Sequence, residues 1–456
     1  MNEKEHPLTR SHWLVLIAAF LGWMFDGVEI GLFPLVARPA LQDLLQMDDD
    51  AQIAKWNSVI VACFLLGAAL GGVVFGWLGD KLGRVRSMVM SILAYSVFTG
   101  ACYFATAAWQ LGVFRFLASM GMGGEWALAV ALVMECWPER HRPKLAGAIG
   151  AAANVGFLFI ALVALSKPVT TASWRWIMLV GAAPALLALL ISLAVPESER
   201  WKASLKRGVS RPIREIFAQG LRRRTLLAIV FSAIPLIGTW AAVSGWIPVW
   251  VDQMTEETMA KGLLAKHELA EFELAENPKE KHALLKSSLT KDQWKQVGGA
   301  TAHAKASVQI VLAIGAILGC FVAPVIGGIW GRRPVYFGLS LLSLVSCAYL
   351  FRALDTYDTL FMVTAGIVGG VTAAFYGWLP LYLPELFPTR VRATGQGLSF
   401  NFGRILAAVG TLSMGQLVGL FGDDYGRAMA TITLIYALGL IVIWFAPETK
   451  GKPLPE

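Results

Sequence analysis

Charge is scarce in this sequence. Only 15% of its 456 residues are Asp, Glu, Lys or Arg, against about 25% in soluble globular chains, which excludes an ordinary water-soluble domain. Cysteine is scarce too. Cys63, Cys102, Cys136, Cys320 and Cys347 are odd in number and lie in or beside apolar runs, so they exclude a disulfide framework and read as small core hydrophobes. The six histidines, His6, His12, His141, His267, His282 and His303, fall in tails and loops without metal-ligand spacing. No nucleotide-binding glycine loop is present. An enzyme, a metal and a cofactor are therefore not expected. Nor does a cleavage pattern precede the first apolar run, which is too long for a signal-peptide core and is read as retained.

What fills the chain instead is apolar residues, 56% of the total. Stretches of about 20 residues, enough to cross a hydrocarbon core of roughly 30 Å, fall at 13–37, 57–79, 87–107, 109–135, 143–166 and 174–195. Six more fall at 224–250, 305–329, 335–352, 358–383, 395–419 and 427–446. The expected fold is all-α and membrane-integral, with twelve transmembrane helices in two six-helix halves. The net charge of +8 is topological and not a nucleic-acid footprint. Basic residues crowd alternate connections: Lys81, Arg84 and Arg86; Arg140, Arg142 and Lys144; Lys206 through Arg224; Arg332 and Arg333; Arg390 and Arg392; Lys450 and Lys452. The intervening short loops, such as QDLLQMDDD and LDTYD, are acidic or sparse. The positive-inside rule then puts both termini and the central loop in the cytoplasm of a multi-pass plasma (inner) membrane protein.

The chain is also duplicated. Glu135 and Arg142 in ECWPERHR recur with the same spacing as Glu385 and Arg392 in ELFPTRVR, about 250 positions on. Gly83-Arg84 recurs as Gly331-Arg332, and Pro196-Glu197-Ser198 as Pro447-Glu448-Thr449. A period this long marks halves of one molecule, and a parallel repeat of membrane helices places a transport site between the halves. The expected organisation is a first half over 1–195, a linker over 196–223 with an amphipathic stretch around Ile213 to Leu221, and a second half over 224–456. The basic linker is expected to lie along the inner leaflet as a contact for membrane lipid. Within the second half, 251–304 is rich in Ala, Glu, Lys and Leu and reads as an extracytoplasmic helical hairpin turning at Asn277-Pro278. A monomer is expected.

These residues carry a resemblance. GWLGDKLGRVR (76–86) resembles the loop-2-to-3 signature of the major facilitator superfamily, and Arg115 followed by GMGG (121–124) resembles its fourth-helix motif. PESERW (196–201) and PETKGKPLPE (447–456) are similar to the sugar-porter and organic-ion branch. GMGGEWALAVALVMECWPERHR is similar to proton-coupled symporters of sialic acid, monocarboxylates and aromatic acids. The second half departs from the pattern: PVIGGIWGRR (324–333) has Gly328 at the place of Asp80. The resemblance implies a gating latch made by Asp80, Arg84, Glu135, Arg142, Arg332, Glu385 and Arg392. Such pairs near water are each worth about 0–1 kcal/mol, so only the network could bias access, and the Gly328 side should be the weaker.

Charges inside the spans mark the candidate transport site. Asp26 and Glu29 lie mid-way through the first span and on one helix face, Glu125 mid-way through the fourth, and Arg404 in the eleventh with Asn401 one turn earlier. An ionisable residue at bilayer depth costs about 2.5–3.5 kcal/mol on insertion scales, so it faces a cavity or a partner. Carboxyls away from water can take up and release a proton near neutrality, which suits Asp26, Glu29 and Glu125 to proton coupling, with Arg115 as relay, helix anchor or snorkelling side chain. Arg404 keeps its charge, and its planar fork suits a carboxylate. The resemblance agrees, since metabolite symporters have an acidic pair in the first helix and organic-anion carriers an eleventh-helix arginine. Asn154, Gln309, Trp240, Trp246, Tyr376 and Trp378 are candidates to line the cavity.

The expected function is proton-coupled symport of a small organic anion by alternating access. Three alternatives stay open at this point: Arg404 bridged permanently to Asp26 or Glu29; a neutral sugar or organic cation as cargo; and a non-transporting sensor that uses 251–304 as its binding module.

Overall fold

The computed structural model describes residues 8–47, 50–166, 169–206, 210–275, 278–421 and 424–456. Among them every regular element is a helix. In the first half these are α1 (Arg10–Leu45), α2 (Asp50–Leu82), α3 (Arg84–Ala101), α4 (Ala108–Cys136), α5 (Arg142–Ser166) and α6 (Arg175–Ala194). The second half has α7 (Arg222–Leu263), α8 (Lys291–Trp330), α9 (Arg332–Ala353), α10 (Thr359–Leu386), α11 (Arg392–Leu420) and α12 (Tyr425–Phe445). Eleven of the described helices are long and apolar enough to cross a membrane, and α11, packed along α2, completes twelve. Helices suit this composition because the lipid core offers no water to backbone amides, so each must be satisfied within its own segment.

Two of the helices are interrupted beside proline. α6 interrupts between Ala182 and Pro184. α7 passes after Pro235 into a wide π-helical stretch, Leu236–Ser244, since proline offers no amide to the preceding turn. The expected turn residue Asn277 lies outside the described residues. Around it the insert differs from a simple hairpin. α7 and α8 run on for 42 and 40 residues, about 60 Å at 1.5 Å per residue, twice the hydrocarbon core. They form a stalk beneath two short helices, Lys266–Leu274 and Pro278–Ser288. Ala260, Phe272 and Leu285 give this cap a small core of its own. The linker's amphipathic helix is also shorter than expected, Pro212–Ile216.

At the basic end of the bundle the duplication is visible atom by atom. Gly83 and Gly331 enter α3 and α9 at φ 110° and 108°, a backbone region that favours glycine. Glu197 then accepts the amides of Arg84 (3.0 Å) and Val85 (3.1 Å), and Glu448 those of Arg332 (3.0 Å) and Arg333 (3.1 Å). Each carboxylate supplies acceptors to a helix N-terminus that has none of its own. Burial pushes the Glu448 carboxyl up, but the amides of Arg332, Arg333, Lys450 and Thr449 outweigh it and hold the group below its ordinary range. A lowered carboxylate stabilises above its ordinary titration range and loses that contribution as pH falls, so this cap is intact at neutral pH.

The halves meet along two seams, α2 against α11 and α5 against α8 and α10. Ala62 and Leu65 pack on Ala407 and Ala408 in the first, and Ala151 on Ala316, Cys320 and Ala373 in the second. Small residues bring the backbones together, as in membrane bundles generally.

Candidate functional site

Midway along the bundle the out-of-place charges converge from three helices. Asp26 and Glu29 on α1, Glu125 on α4 and Arg404 on α11 are all buried. Their partners differ. Glu29 is engaged through one oxygen: its Oε1 accepts Arg115 Nη1 and, at 2.8 Å, the Thr99 hydroxyl, while its Oε2 is buried without a partner. Arg115 also lies over the rings of Phe33 (5.0 Å) and Phe64 (4.6 Å), so it does not snorkel but ties α4 to α1. Asp26 and Glu125 have no hydrogen-bond partner on any carboxylate oxygen. Asp26 stands within electrostatic reach of Arg404, Glu125 and Glu29. Among the described residues Arg404 has no carboxylate within ion-pair distance, and its Nε is unpartnered. The permanent Arg404 bridge to Asp26 or Glu29, one of the alternatives left open above, is therefore not formed.

Gly22, one turn before Asp26, makes room for this arrangement. A Cβ there would collide with Glu125 Oε1. Gly22→Ala is expected to leave the protein folded but displace the Glu125 carboxyl, lowering transport about tenfold, since misplacing a reacting group by about 1 Å can cost up to a hundredfold. A rate within twofold of wild type would show that the position of Glu125 does not matter.

Aromatic rings complete the site. Trp126 stacks on Phe400 across the two halves (3.9 Å, 12° between planes). Trp23 meets both edge-on at 6.4 and 6.1 Å, and Tyr376 meets Phe400 at 6.4 Å. The indole N–H groups of Trp23 and Trp126 and the Tyr95 hydroxyl are buried without partners, an arrangement that is costly unless something accepts from them. Sequence reasoning missed Trp23, Trp126, Phe400 and Tyr95. The available signal was position, because Trp126 follows Glu125, Trp23 is three before Asp26, and Phe400 is four before Arg404 on one helix face.

Other expected lining residues are placed differently. Trp378 is not at the site. It is fully buried among Phe231, Tyr336 and Tyr382, with its indole donating to the Arg332 carbonyl at 3.1 Å, because that face of α10 turns into the core of the second half. Asn401 gives its amide to Gly123 O (2.7 Å) and Gly397 O (3.0 Å), joining α11 to α4 with only its Oδ1 unpartnered. Tyr376 is half-buried and donates to Pro235 O at 3.2 Å. Trp246 stacks on Tyr425 at 5.7 Å. Asn154 is half-buried and Gln309 exposed. The Trp240 side chain lies outside the described residues.

At the basic end the latch residues assemble, but buried and not near water as the sequence suggested. Arg84 bridges Asp80 (2.9 Å) and Glu135 (3.0 Å), and Ser198 donates to Glu135 at 2.5 Å. Arg332 holds Glu385 in a fork (2.6 and 3.0 Å), and Thr449 donates to it at 2.5 Å. Three links cross between the halves, the first from Arg84 Nη2 to the Thr389 carbonyl at 2.6 Å. Arg392 reaches Glu135 at 2.8 Å, and Asp80 accepts the amides of Ala393 (3.2 Å) and Thr394 (2.9 Å) and the Thr394 hydroxyl (2.6 Å) at the start of α11. The mirror-image links are missing. Arg142 pairs with nearby Glu139 at 2.8 Å, and Gly328 faces Pro143, which has no amide to offer a carboxylate. The departure at Gly328 is thus matched by a departure opposite it. The roles of Glu197, Ser198, Glu448 and Thr449 were visible in the sequence only as a repeated tripeptide.

The family model for the Major Facilitator Superfamily matches residues 13–265, and that for Sugar (and other) transporter matches 267–451. The cis,cis-muconate transport protein of Acinetobacter baylyi is 26% identical, over 99% of this chain and 98% of its own. The probable 4-methylmuconolactone transporter of Cupriavidus pinatubonensis is 27% identical, over 95% and 90%. The solved structure of the proton:xylose symporter XylE bound to 6-bromo-6-deoxy-D-glucose shares the fold, with a TM-score of 0.71 at 17% identity over 97% and 98% of the two chains.

Proposed function

The chain belongs to the Major Facilitator Superfamily, a multi-pass membrane transporter and not an enzyme, and from that premise we propose that it carries a small organic anion together with protons. The observation that supports this most is Arg404, a buried cation held between the halves without a carboxylate of its own. A substrate carboxylate would complete it in a forked pair, with the indole N–H groups of Trp23 and Trp126 as further donors. Stacked rings beside that charge favour a flat, unsaturated acid, as aromatic faces prefer parallel or edge contacts. The muconate transported by one relative is a carboxylate of that kind.

Asp26 and Glu125 serve as the proton carriers in this reading, and the Glu29–Arg115 pair holds α1 against α4 nearby. The sealed basic end, cytoplasmic by the positive-inside rule, makes this the state that loads from outside. Substrate and proton binding release the latch, and the halves rock to open inward. A monoanion with one proton moves no net charge, while a second proton adds about 2.3 kcal/mol of drive per 100 mV. The working unit is a monomer in the plasma membrane.

The test is uptake by purified protein in proteoliposomes under an inward proton gradient, offered monocarboxylates, aromatic acids, muconate and hexoses. Gradient-driven uptake of an unsaturated acid is the expected result. Uptake of a neutral sugar with no response to acids would overturn the anion assignment.

A further inference from the structure

A cavity of about 300 Å³ opens at the basic end of the second half, beside the Arg332–Glu385 pair and away from the mid-bundle site. Arg223 and Arg224 enter it from the first turn of α7, Arg333 from the start of α9, and Phe445, Ala446 and Pro447 from the end of α12. The three guanidiniums are oriented by backbone carbonyls. Arg223 donates to Phe445 O (3.1 Å), Arg333 to Ala446 O and Trp444 O (both 2.7 Å), and Arg224 to Leu386 O (3.5 Å). Carbonyls fix direction but bring no charge, and among the described residues no carboxylate lies within ion-pair distance of any of the three. One cleft therefore holds three guanidiniums, while the neighbouring Glu448 carboxylate is taken up by backbone amides.

The duplication does not require this cluster. At the place of Arg333 the first half has Val85, and at that of Ala446 it has Val195. Beside the charge, Ile441, Trp444 and Phe445 expose their side chains on the outer surface of α12, with Trp444 against Phe337 at 5.6 Å. Aromatic rings at a helix end belong to the membrane–water boundary. A forked cationic cleft there, with apolar surface running down from it, matches an amphiphile whose head is a phosphate and whose tails lie along α12.

We propose that this cleft binds the phosphodiester headgroup of one anionic phospholipid. Guanidiniums recognise phosphate oxygens in pairs, and basic pockets between membrane helices are suited to such heads. A soluble phosphate would satisfy the arginines but make no use of Ile441, Trp444 and Phe445.

The experiment is native mass spectrometry of the full-length protein titrated with phosphatidylglycerol, with phosphatidylcholine as the neutral comparison. One phosphatidylglycerol should bind preferentially, and Arg223→Gln/Arg224→Gln should weaken it about thirtyfold, as expected for two charges near a membrane surface. Arg211→Gln, at an exposed position on the same face outside the cleft, should bind as wild type. If the double variant does not fold, Arg223→Gln alone carries the same test at an exposed position. Equal phosphatidylglycerol affinity in wild type and cleft variant would overturn the site. Displacement of the lipid by excess inorganic phosphate would overturn the lipid assignment.

Discussion

Arg404→Ala is expected to lower gradient-driven acid uptake about thirtyfold or more, with Arg404→Lys recovering only a small part. Truncating one side of a buried, hydrogen-bonded charge pair costs about 2–5 kcal/mol or more, and each 1.4 kcal/mol is tenfold in affinity. In this protein the partner would be the substrate, so the loss falls on binding and not on folding, and the variant should stay monodisperse. Lysine keeps the charge but cannot present the planar fork. Asp26→Asn separates the two roles. It removes a titratable group while leaving Arg404 in place, so equilibrium exchange of substrate across the membrane should persist while accumulation driven by the proton gradient disappears. Both variants would be followed by initial rates and by counterflow in proteoliposomes. Wild-type accumulation by Arg404→Ala would remove the arginine from the mechanism. Full coupling in Asp26→Asn would move the proton to Glu125 or Glu29.

The second large effect belongs to the basic end. Arg392→Ala deletes the ion pair to Glu135 and the bonds to Pro384 O (3.2 Å) and Pro455 O (2.8 Å). Removing one member of a buried pair costs about 3–5 kcal/mol, and this pair exists only while the halves are closed there. The sealed state should therefore lose a factor of about a hundred or more relative to the opened one. Arg142→Ala, at the repeat-related position, should shift the same equilibrium less than threefold, since its partner Glu139 is part-exposed and in the same half, where such pairs contribute little. Spin-label distances between exposed Lys202, on the linker helix that Trp201 ties to Asp80 O of the first half (3.0 Å), and exposed Lys452 on the second half would measure both. Equal shifts in the two variants would refute the one-sided latch.

Most of the architecture is legible in the sequence because membrane helices announce themselves by continuous apolarity and the halves by their repeated motifs. The stalks of α7 and α8 are not, because beyond the membrane the same helices turn charged and look like a separate hairpin. In the site, Asp26, Glu29, Glu125, Arg115 and Arg404 stand out because a charge at bilayer depth must have a reason. Trp23, Trp126 and Phe400 do not, since an aromatic ring in an apolar helix is unremarkable until its neighbours are known. Trp378 shows the converse: nothing in a one-dimensional pattern says which face of α10 turns inward. The buried setting of the latch was equally hidden, because its motifs lie in connecting segments that read as wet.

If the basic end is the gate proposed above, the pairing of Gly328 with Pro143 would set the manner of opening as well as its strength. Along α2 and α11 the closed halves are clasped by groups that either bond or separate. Along α5, α8 and α10, contact is made by small and apolar surfaces such as Gly147 against Phe321 and Gly150 against Gly377, which can roll without breaking a directional bond. The basic end is thus built like a door hung on one edge. Its bolt is Asp80 and Arg392 on the free edge, and the first gap should appear between α2 and α11 while the opposite edge is still touching.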